Sequence, residues 1–221
     1  LMLPFATKAG ESTTYINALF TSTSATCVTG LVPYDTNTHW SIFGQVVIIL
    51  LIQTGGLGFM TFVSVLINIL GRNLGLYEKK AFMHSAGEGN LSGIRRLIRR
   101  IFIGTAIFEG LGAVFLSIRF IPDFGIGKGI YYSIWHSVSA FCNAGFDLMG
   151  GLFGGEKFVS FTHSATDPVV SLTISFLIII GGLGFCVWGD IVDTRCNFKK
   201  FRLHTKVVLF VNTLLLLIST L

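Results

Sequence analysis

The sequence predicts an all-α polytopic membrane protein, and three observations carry this prediction. Of the 221 residues, 52% are hydrophobic and only 12% are charged, whereas about a quarter of an ordinary soluble domain is charged. Three stretches with at most one charge each are long enough to cross a bilayer as helices. A pair of motifs returns within the chain, which indicates a duplicated structural unit. Together these features exclude a free-standing soluble enzyme, a disordered chain and, with four cysteines, a small disulfide scaffold.

The uncharged stretches divide by length. Crossing a hydrocarbon core of roughly 30 Å takes about 20 helical residues. Three stretches with at most one charge are about this long or longer, and a fourth is cut short by the end of the sequence: 41–70, 168–189, 101–118 and, as the fourth, 207–221. Only Glu109 interrupts the third. Two shorter apolar stretches, 15–25 and 130–141, suit re-entrant half-helices or buried core helices.

Basic residues orient the predicted spans. Twelve of the sixteen fall in two short segments: Arg72, Lys79, Lys80, Arg95, Arg96, Arg99, Arg100, then Arg195, Lys199, Lys200, Arg202 and Lys206. The positive-inside rule makes these segments, loops 71–100 and 194–206, cytoplasmic. The net charge of +5 therefore reflects topology, and no nucleic-acid partner is expected. Two roles remain open for the basic loops, namely anchoring to the inner leaflet and docking of a cytosolic partner.

The internal repeat consists of two motif pairs. SATCVTG at 24–30 returns as SAFCNAG at 139–145, and GGLGF at 55–59 returns unchanged at 181–185. The second copy holds eleven more residues between its motifs, which we assign to an outer loop near 150–167. Each unit is therefore predicted as a half-helix, a Gly-bearing extended string, an outer loop and a helix that carries GGLGF. The glycines of GGLGF either allow close helix packing or permit a bend that shapes an inner cavity.

An extended string inside a membrane must satisfy its backbone in a wet cavity or by binding an ion. The carbonyls that follow the half-helices meet this need if they point to a common axis. They belong to Val28, Thr29, Gly30, Leu31, Asn143, Ala144, Gly145 and Phe146. Glycine supplies conformations closed to residues with a Cβ, and the C-terminal end of a half-helix favours a cation. The sequence therefore predicts a cation filter with Asp147 at its outer mouth, where a carboxylate concentrates cations.

These motifs, in this order, resemble the Ktr/Trk/HKT superfamily of potassium transporters over nearly the whole chain. The resemblance rests on SATCVTGL and SAFCNAGF, each followed by GGLGF, with LMLP before the first and SIRF after the span with Glu109. It implies repeated M1-P-M2 units like those of potassium channels, with re-entrant pore loops, four to a polypeptide. Gly30 and Gly145 would be the filter glycines of the first two repeats, and potassium would bind only at the filter carbonyls.

Carried over to this chain, the resemblance divides it into five parts. Repeat one is 1–71, with the end of M1, a pore loop at 12–32 and M2 at 41–70. Repeat two is 98–193, with M1 at 98–120, a pore loop at 128–147 and M2 at 168–192. Cytoplasmic loops cover 72–97 and 194–206, and M1 of repeat three begins in 207–221. We expect a fragment without most of the first M1, most of the third repeat and all of the fourth.

The resemblance implies potassium uptake across the plasma membrane, with sodium stimulating transport and no covalent cofactor. It also implies a homodimer of full-length subunits in membrane lipid, docked on a cytosolic nucleotide-binding regulatory subunit of the KtrA (RCK) type. The alternative is a broken-helix secondary transporter for another small solute or cation, in which the glycine strings mark unwound substrate sites. An enzyme is not expected, because no catalytic or metal-ligating set of side chains converges at one depth.

Four single residues have competing interpretations. Glu109 is a carboxylate within a span, where charges are costly and often functional, but we expect a hydrogen-bonded or ion-paired structural role. Cys27 and Cys142 occupy equivalent repeat positions and are interpreted as small packing residues rather than a disulfide. His136 is interpreted as a hydrogen-bonded core residue rather than a metal ligand.

Overall fold

The computed structural model of the chain describes residues 1–58, 94–152, 154–195 and 197–219. In these residues the regular secondary structure is helical, apart from one isolated antiparallel bridge between Thr7 and Trp40, so the predicted all-α class is confirmed there. The α-helices, numbered α1 to α8 in chain order, are Tyr15–Thr26, Thr36–His39, Ile42–Gly56, Ile94–Phe124, Ile126–Phe141, Pro168–Gly182, Phe185–Asp193 and Leu203–Ser219. Short 3-10 helices cover Pro4–Ala6, Thr162–Ser164 and Phe198–Lys200.

Part of the predicted architecture lies outside the described residues. This applies to the second part of the predicted first M2, from residue 59 onward, and to most of the predicted cytoplasmic loop 72–97. It also applies to Phe59, the last residue of the first GGLGF, and to the final two residues of 207–221.

Contacts divide the chain into two compact units, 1–58 with 106–181 and 59–105 with 182–221. In the first unit both α1 and α5 pack against α3. The buried residues of α3 are spaced one, three and four positions apart, as expected for one face of a helix: Gly44, Gln45, Ile48 and Ile52. Its other side exposes Val46 and Leu50. A helix that is apolar on all sides is typical of a membrane span or a large core.

Among the described residues, α4 is the single helix long and apolar enough to cross a bilayer unbroken. Its stretch Arg99–Phe124 has 26 residues, which at 1.5 Å per residue spans roughly 39 Å. Exposed apolar side chains follow helical spacing along it: Ile103, Ile107, Leu111, Val114 and Ile118. The segment predicted as M1 of repeat two, 98–120, lies within this helix.

The segment predicted as the second M2, 168–192, is divided into two helices rather than one. The helix α6 ends at Gly182, and α7 begins directly after Gly184, whose φ is +86°. In the first repeat, α3 likewise ends at Gly56, and Gly58 has a φ of +81°. A positive φ lies outside helical geometry and favours glycine. The third glycine of each GGLG string therefore lies beyond the end of the helix that carries the first two.

In the described part of the second unit, a buried aspartate connects α7 to the segment that precedes α8. Asp190 of α7 is buried, and its carboxylate accepts the backbone N–H of Arg202 at 2.9 Å, just before α8 begins. A carboxylate at a helix N-terminus is favoured by the helix dipole. Arg100 also pairs with Asp193 at 2.7 Å, but both side chains are about half exposed, so this pair contributes at most about 1 kcal/mol. The predicted loop 194–206 is thus folded onto α7 at this point.

Candidate cation filter

Two strings of backbone with the same conformation follow α1 and α5. Val28 and Asn143 have φ values of +57° and +58°, and Gly30 and Gly145 have φ values of +76° and +71°. The residue between the two positive values has a negative φ in both strings. The backbone conformation is therefore repeated along with the SATCVTG and SAFCNAG motifs.

The same hydrogen bonds close both half-helices. At the end of α1, the N–H of Val28 donates to the carbonyl of Ala25 at 3.3 Å, and the N–H of Thr29 donates to the carbonyl of Ser24 at 3.0 Å. The equivalent two bonds end α5, at 3.0 and 2.8 Å. This is the Schellman arrangement, in which a left-handed residue, usually glycine, follows the helix. Each string therefore leaves its half-helix through a defined hydrogen-bonded turn.

The left-handed residue in these turns is not glycine in either string. Asparagine tolerates this conformation, but for a β-branched residue such as Val28 it is a genuine outlier. Backbone strain of this kind persists where the surrounding structure imposes it, and it is typical of functional sites. Val28 is therefore held in place by the turn and by its neighbours rather than by its own preference.

Most carbonyl oxygens of the two strings accept no hydrogen bond from the described residues. Within the described ranges, no donor reaches the carbonyls of seven of the eight predicted filter residues: Val28, Thr29, Gly30, Leu31, Asn143, Ala144 and Gly145. The eighth, Phe146, accepts the hydroxyl of Ser139 at 2.6 Å, which leaves its second lone pair available. Unpaired carbonyls are costly in an apolar medium unless water or a cation satisfies them.

The two strings meet at their glycines. A Cβ placed on Gly30 would lie 2.7 Å from the carbonyl oxygen of Ala144 and 3.3 Å from the Cα of Gly145. A Cβ placed on Gly145 would lie 3.4 Å from the Cα of Gly30. The two predicted filter glycines therefore face each other. The positive φ favours glycine at both positions, and at Gly30 the close approach requires it as well.

His136 fastens the segment after the second string to α5. Its Nδ1 lies 2.7 Å from the carbonyl oxygen of Tyr132, and its Nε2 lies 3.0 Å from the backbone nitrogen of Leu148, whose N–H it accepts. Since a carbonyl oxygen can only accept, Nδ1 carries the proton and the ring is neutral. The interpretation of His136 as a hydrogen-bonded core residue is confirmed.

The first glycine of each GGLG string touches the end of a half-helix. A Cβ on Gly55 would overlap the carbonyl oxygen of Thr26, the last residue of α1. A Cβ on Gly181 would overlap the carbonyl oxygen of Phe141, the last residue of α5. In the second copy the two interpretations of these glycines thus apply to different residues of one motif, since Gly181 allows close packing and Gly184 separates α6 from α7.

Asp147 follows the second string directly and is half-buried. Its Oδ1 accepts the N–H of Met149 at 2.9 Å. The same side chain borders a cavity of about 220 Å³ that is also lined by Asn143 and Gly145. Its counterpart in the first string is Val32, so these two strings bring one carboxylate to this position.

The outer loop of the second repeat, 150–167, contacts the first repeat. The buried carboxylate of Asp35 accepts the N–H of Thr38, which caps α2, at 2.8 Å and the N–H of Phe158 at 2.9 Å. Beside it, the amide of Asn37 donates to the carbonyl of Gly150 at 2.8 Å. Sequence reasoning missed this contact because the partners are 113 and 123 residues apart, and no motif marks it.

Asp35→Asn is expected to loosen this outer loop. An amide has one acceptor oxygen, so the N–H of Phe158 or that of Thr38 loses its partner, at a cost of about 1–3 kcal/mol. Faster limited proteolysis within 150–160 and a lower melting temperature of the full-length parent protein in detergent would show this. The control is Asp123→Asn, since that side chain is 39% exposed and lies 3.7 Å from Arg119. Equal cleavage of the two variants would contradict the role of Asp35.

Comparison with known proteins finds similarity along the whole chain. The family model TrkH, described as "Cation transport protein", matches residues 2–221. The potassium/sodium uptake protein NtpJ of Enterococcus hirae is 43% identical over 217 residues, which cover 98% of this chain and 46% of that protein. The Ktr system potassium uptake protein B of Bacillus subtilis is 43% identical over 209 residues, which cover 95% of this chain and 44% of that protein.

A second protein with the name Ktr system potassium uptake protein B, from Vibrio alginolyticus, is 40% identical over 221 residues. The match covers 100% of this chain and 46% of that protein. The chain therefore spans slightly less than half the length of the curated relatives it matches. These relatives are transporters by name, not enzymes.

Proposed function

Because the chain belongs to the TrkH family of cation transport proteins, we propose that it supplies two filter-bearing M1-P-M2 repeats of a Ktr-type potassium uptake protein. Partly dehydrated potassium passes along the carbonyls of the two strings, down its electrochemical gradient and without covalent chemistry. One observation carries the proposal: two strings of matching backbone conformation meet at facing glycines and present carbonyls that no donor from the described part of the chain reaches.

The half-helices supply a favourable field for a cation. Each helix carries a partial negative charge of roughly half an elementary charge at its C-terminal end. Neither α1 nor α5 has a basic residue in its last turn that would neutralise this charge. A cation in the string region is therefore stabilised, whereas an anion is repelled. Carbonyl oxygens then replace the water that the cation gives up.

The cellular setting follows from the charge pattern and from the relatives. We place the chain in the plasma membrane as a multi-pass protein, with loops 71–100 and 194–206 in the cytoplasm. The relatives named as Ktr system proteins support an assembly of several components. We therefore propose a homodimer of full-length subunits in lipid, docked on a cytosolic nucleotide-binding regulatory subunit of the KtrA type.

Sodium belongs in the proposal beside potassium. The name of the Enterococcus hirae relative includes both ions. One glycine per string is a looser specification than the two in a TVGYG-type filter, so sodium can act as a stimulating ion or as a competitor at the same carbonyls. Uptake of both ions must therefore be measured together.

The test is uptake by the full-length parent protein in a bacterium that lacks its own potassium uptake systems. Wild type should take up rubidium in preference to sodium. Gly145→Ser should lower the rubidium-to-sodium ratio by about tenfold, because a side chain at φ +71° costs about 1–2 kcal/mol and displaces the carbonyls. No uptake by wild type, or uptake indifferent to Gly145, would refute the filter.

The second candidate is a broken-helix secondary transporter, and one observation favours it. The predicted second M2 is broken at Gly184, as the helices that form substrate sites in such transporters are. A coupled transporter accumulates its solute against the electrochemical gradient of that solute, whereas a filter conducts an ion only down its electrochemical gradient. Rubidium accumulation that persists when the membrane potential is clamped by an ionophore would favour the coupled transporter.

A further inference from the structure

A polar chain joins α4 to the start of the second string. Glu109 is the only charged residue between Arg100 and Arg119 along α4. Its Oε1 accepts the side-chain N–H of Gln53, from α3, at 2.9 Å. A carboxylate in a span is costly unless it is hydrogen-bonded, and this bond provides a partner from a different repeat.

The other end of Gln53 continues the chain. Its Oε1 accepts the thiol of Cys142 at 3.7 Å, and Cys142 is the residue directly before Asn143 of the second string. The hydroxyl of Ser137, on α5, also donates to the backbone carbonyl of Glu109 at 2.6 Å. Carboxylate, amide and thiol thus form one connected path through three helices, and it ends where the unpaired carbonyls begin.

Close packing against α3 also restricts the position of the Cys142 thiol. A Cβ on Gly56, three residues after Gln53 on α3, would overlap the Sγ and Cβ of Cys142. Cys142 is a buried free thiol, whereas its repeat equivalent Cys27 is an exposed one. The position of Cys142 is therefore determined jointly by a glycine contact and by the polar chain.

The polar chain is not a general feature of the repeated unit. Offset by 126 residues, the position of Gln53 on α3 corresponds to Ile179 on α6. The repeated unit can therefore form without a glutamine at the position equivalent to Gln53. The glutamine occurs where α3 of the first repeat packs on α5 of the second, which indicates a task specific to that contact.

We propose that Glu109 is a positioning residue for the second string: through the amide of Gln53 it holds Cys142, and with it the carbonyls of Asn143 and Ala144. The inference rests on the proposed function, because it assigns the ion discrimination of the string to a contact between two repeats. Loss of the polar chain lets the end of α5 shift, so the carbonyls that follow no longer keep one spacing.

The test uses the full-length parent protein with three variants. Gln53→Ile introduces the residue found at 179, Glu109→Leu removes the carboxylate, and Glu109→Gln keeps an acceptor of the same shape. The first two should lower the rubidium-to-sodium uptake ratio by about threefold to tenfold, as expected for the loss of one or two hydrogen bonds. Glu109→Gln should retain most of the ratio. Val114→Ala is the control, because that side chain is 61% exposed on the same helix.

Three outcomes separate positioning from a merely structural role. Positioning predicts a lower ratio and a higher KM for rubidium at unchanged maximal uptake per amount of folded protein. It also predicts that the double variant Gln53→Ile/Glu109→Leu is no worse than the more severe single variant, since both break one chain. A fall in maximal uptake that follows protein amount, with the ratio unchanged, would overturn the proposal. Gln53→Ile keeps it testable if Glu109→Leu does not fold.

A thiol measurement distinguishes failure of this inference from failure of the proposed function. In a background of the full-length parent protein in which every other cysteine, Cys27, Cys186 and Cys196 among them, is replaced by serine, a maleimide reports only the accessibility of Cys142. Labelling should be faster in Gln53→Ile and Glu109→Leu than in the background protein, and labelling that does not change overturns the inference whatever the transport result. If the serine background takes up no rubidium although wild type does, the same cysteines are replaced by alanine instead.

Discussion

Gly30→Ala in the full-length parent protein is expected to abolish most of the preference for rubidium over sodium. Alanine at a φ of +76° costs about 1–2 kcal/mol. Its Cβ would also lie 2.7 Å from the carbonyl oxygen of Ala144, which forces a backbone group of the second string to move. The rubidium-to-sodium ratio should fall by at least about tenfold. Gly145→Ala should have a smaller effect, because its Cβ would lie 3.4 Å from the Cα of Gly30.

Gly10 provides the matched control for backbone strain. It has a φ of +70°, and a Cβ there would find no atom within 4 Å. Gly10→Ala therefore carries the conformational cost of Gly30→Ala without the contact between the strings. Uptake and ion preference should stay close to wild type. Equal loss in Gly10→Ala and Gly30→Ala, or a larger loss in Gly145→Ala than in Gly30→Ala, would show that the facing glycines do not set the ion preference.

Gly55→Ala and Gly181→Ala are expected to reduce the stability of the folded protein strongly. In each case the new methyl group would overlap a backbone carbonyl at the end of a half-helix, from Thr26 or Phe141. A backbone group cannot rotate away as a flexible side chain can, so α3 and α6 must each separate from the half-helix. We expect a cost of about 3 kcal/mol or more, set against a gain of roughly 1 kcal/mol in helix propensity. Fluorescence-detected size-exclusion chromatography after heating in detergent measures the resulting shift in melting temperature.

Gly110→Ala isolates the helix-propensity part of that balance. Gly110 lies inside α4, and a Cβ there would meet no atom within 4 Å. This variant should be as stable as wild type or slightly more stable. A similar loss of stability in Gly110→Ala and Gly55→Ala would contradict the packing role assigned to the first glycine of GGLG.

The placement of the strings was predictable because their signals are local. A dozen apolar residues followed by a glycine-bearing motif, present twice, indicates a short helix and a special backbone turn, and the structure has α1 and α5 before Gly30 and Gly145. Glycine is informative at such positions because few other residues tolerate the positive φ. The re-entrant path through a membrane remains a prediction.

Features that depend on distant parts of the chain were not predictable from the sequence. The bond between Gln53 and Glu109 joins residues 56 apart, and the bond between Asp35 and Phe158 joins residues 123 apart. The sequence alone does not decide whether the helix breaks at Gly184, because glycines inside an apolar run are compatible with a continuous helix as well as with a break. Tertiary packing decides between these outcomes, and periodicity in the sequence does not report it.

The two strings also show what a duplicated unit has to retain. Position 28 holds valine and position 143 holds asparagine, yet their φ values differ by one degree. The glycines at the pairs 30 and 145, 55 and 181, and 58 and 184 have not diverged at all. The two copies therefore share the main-chain conformation and the glycines that allow close contact, whereas the side chain in the turn differs between them. A further copy of this unit, natural or designed, would be recognisable by those glycines before any other residue.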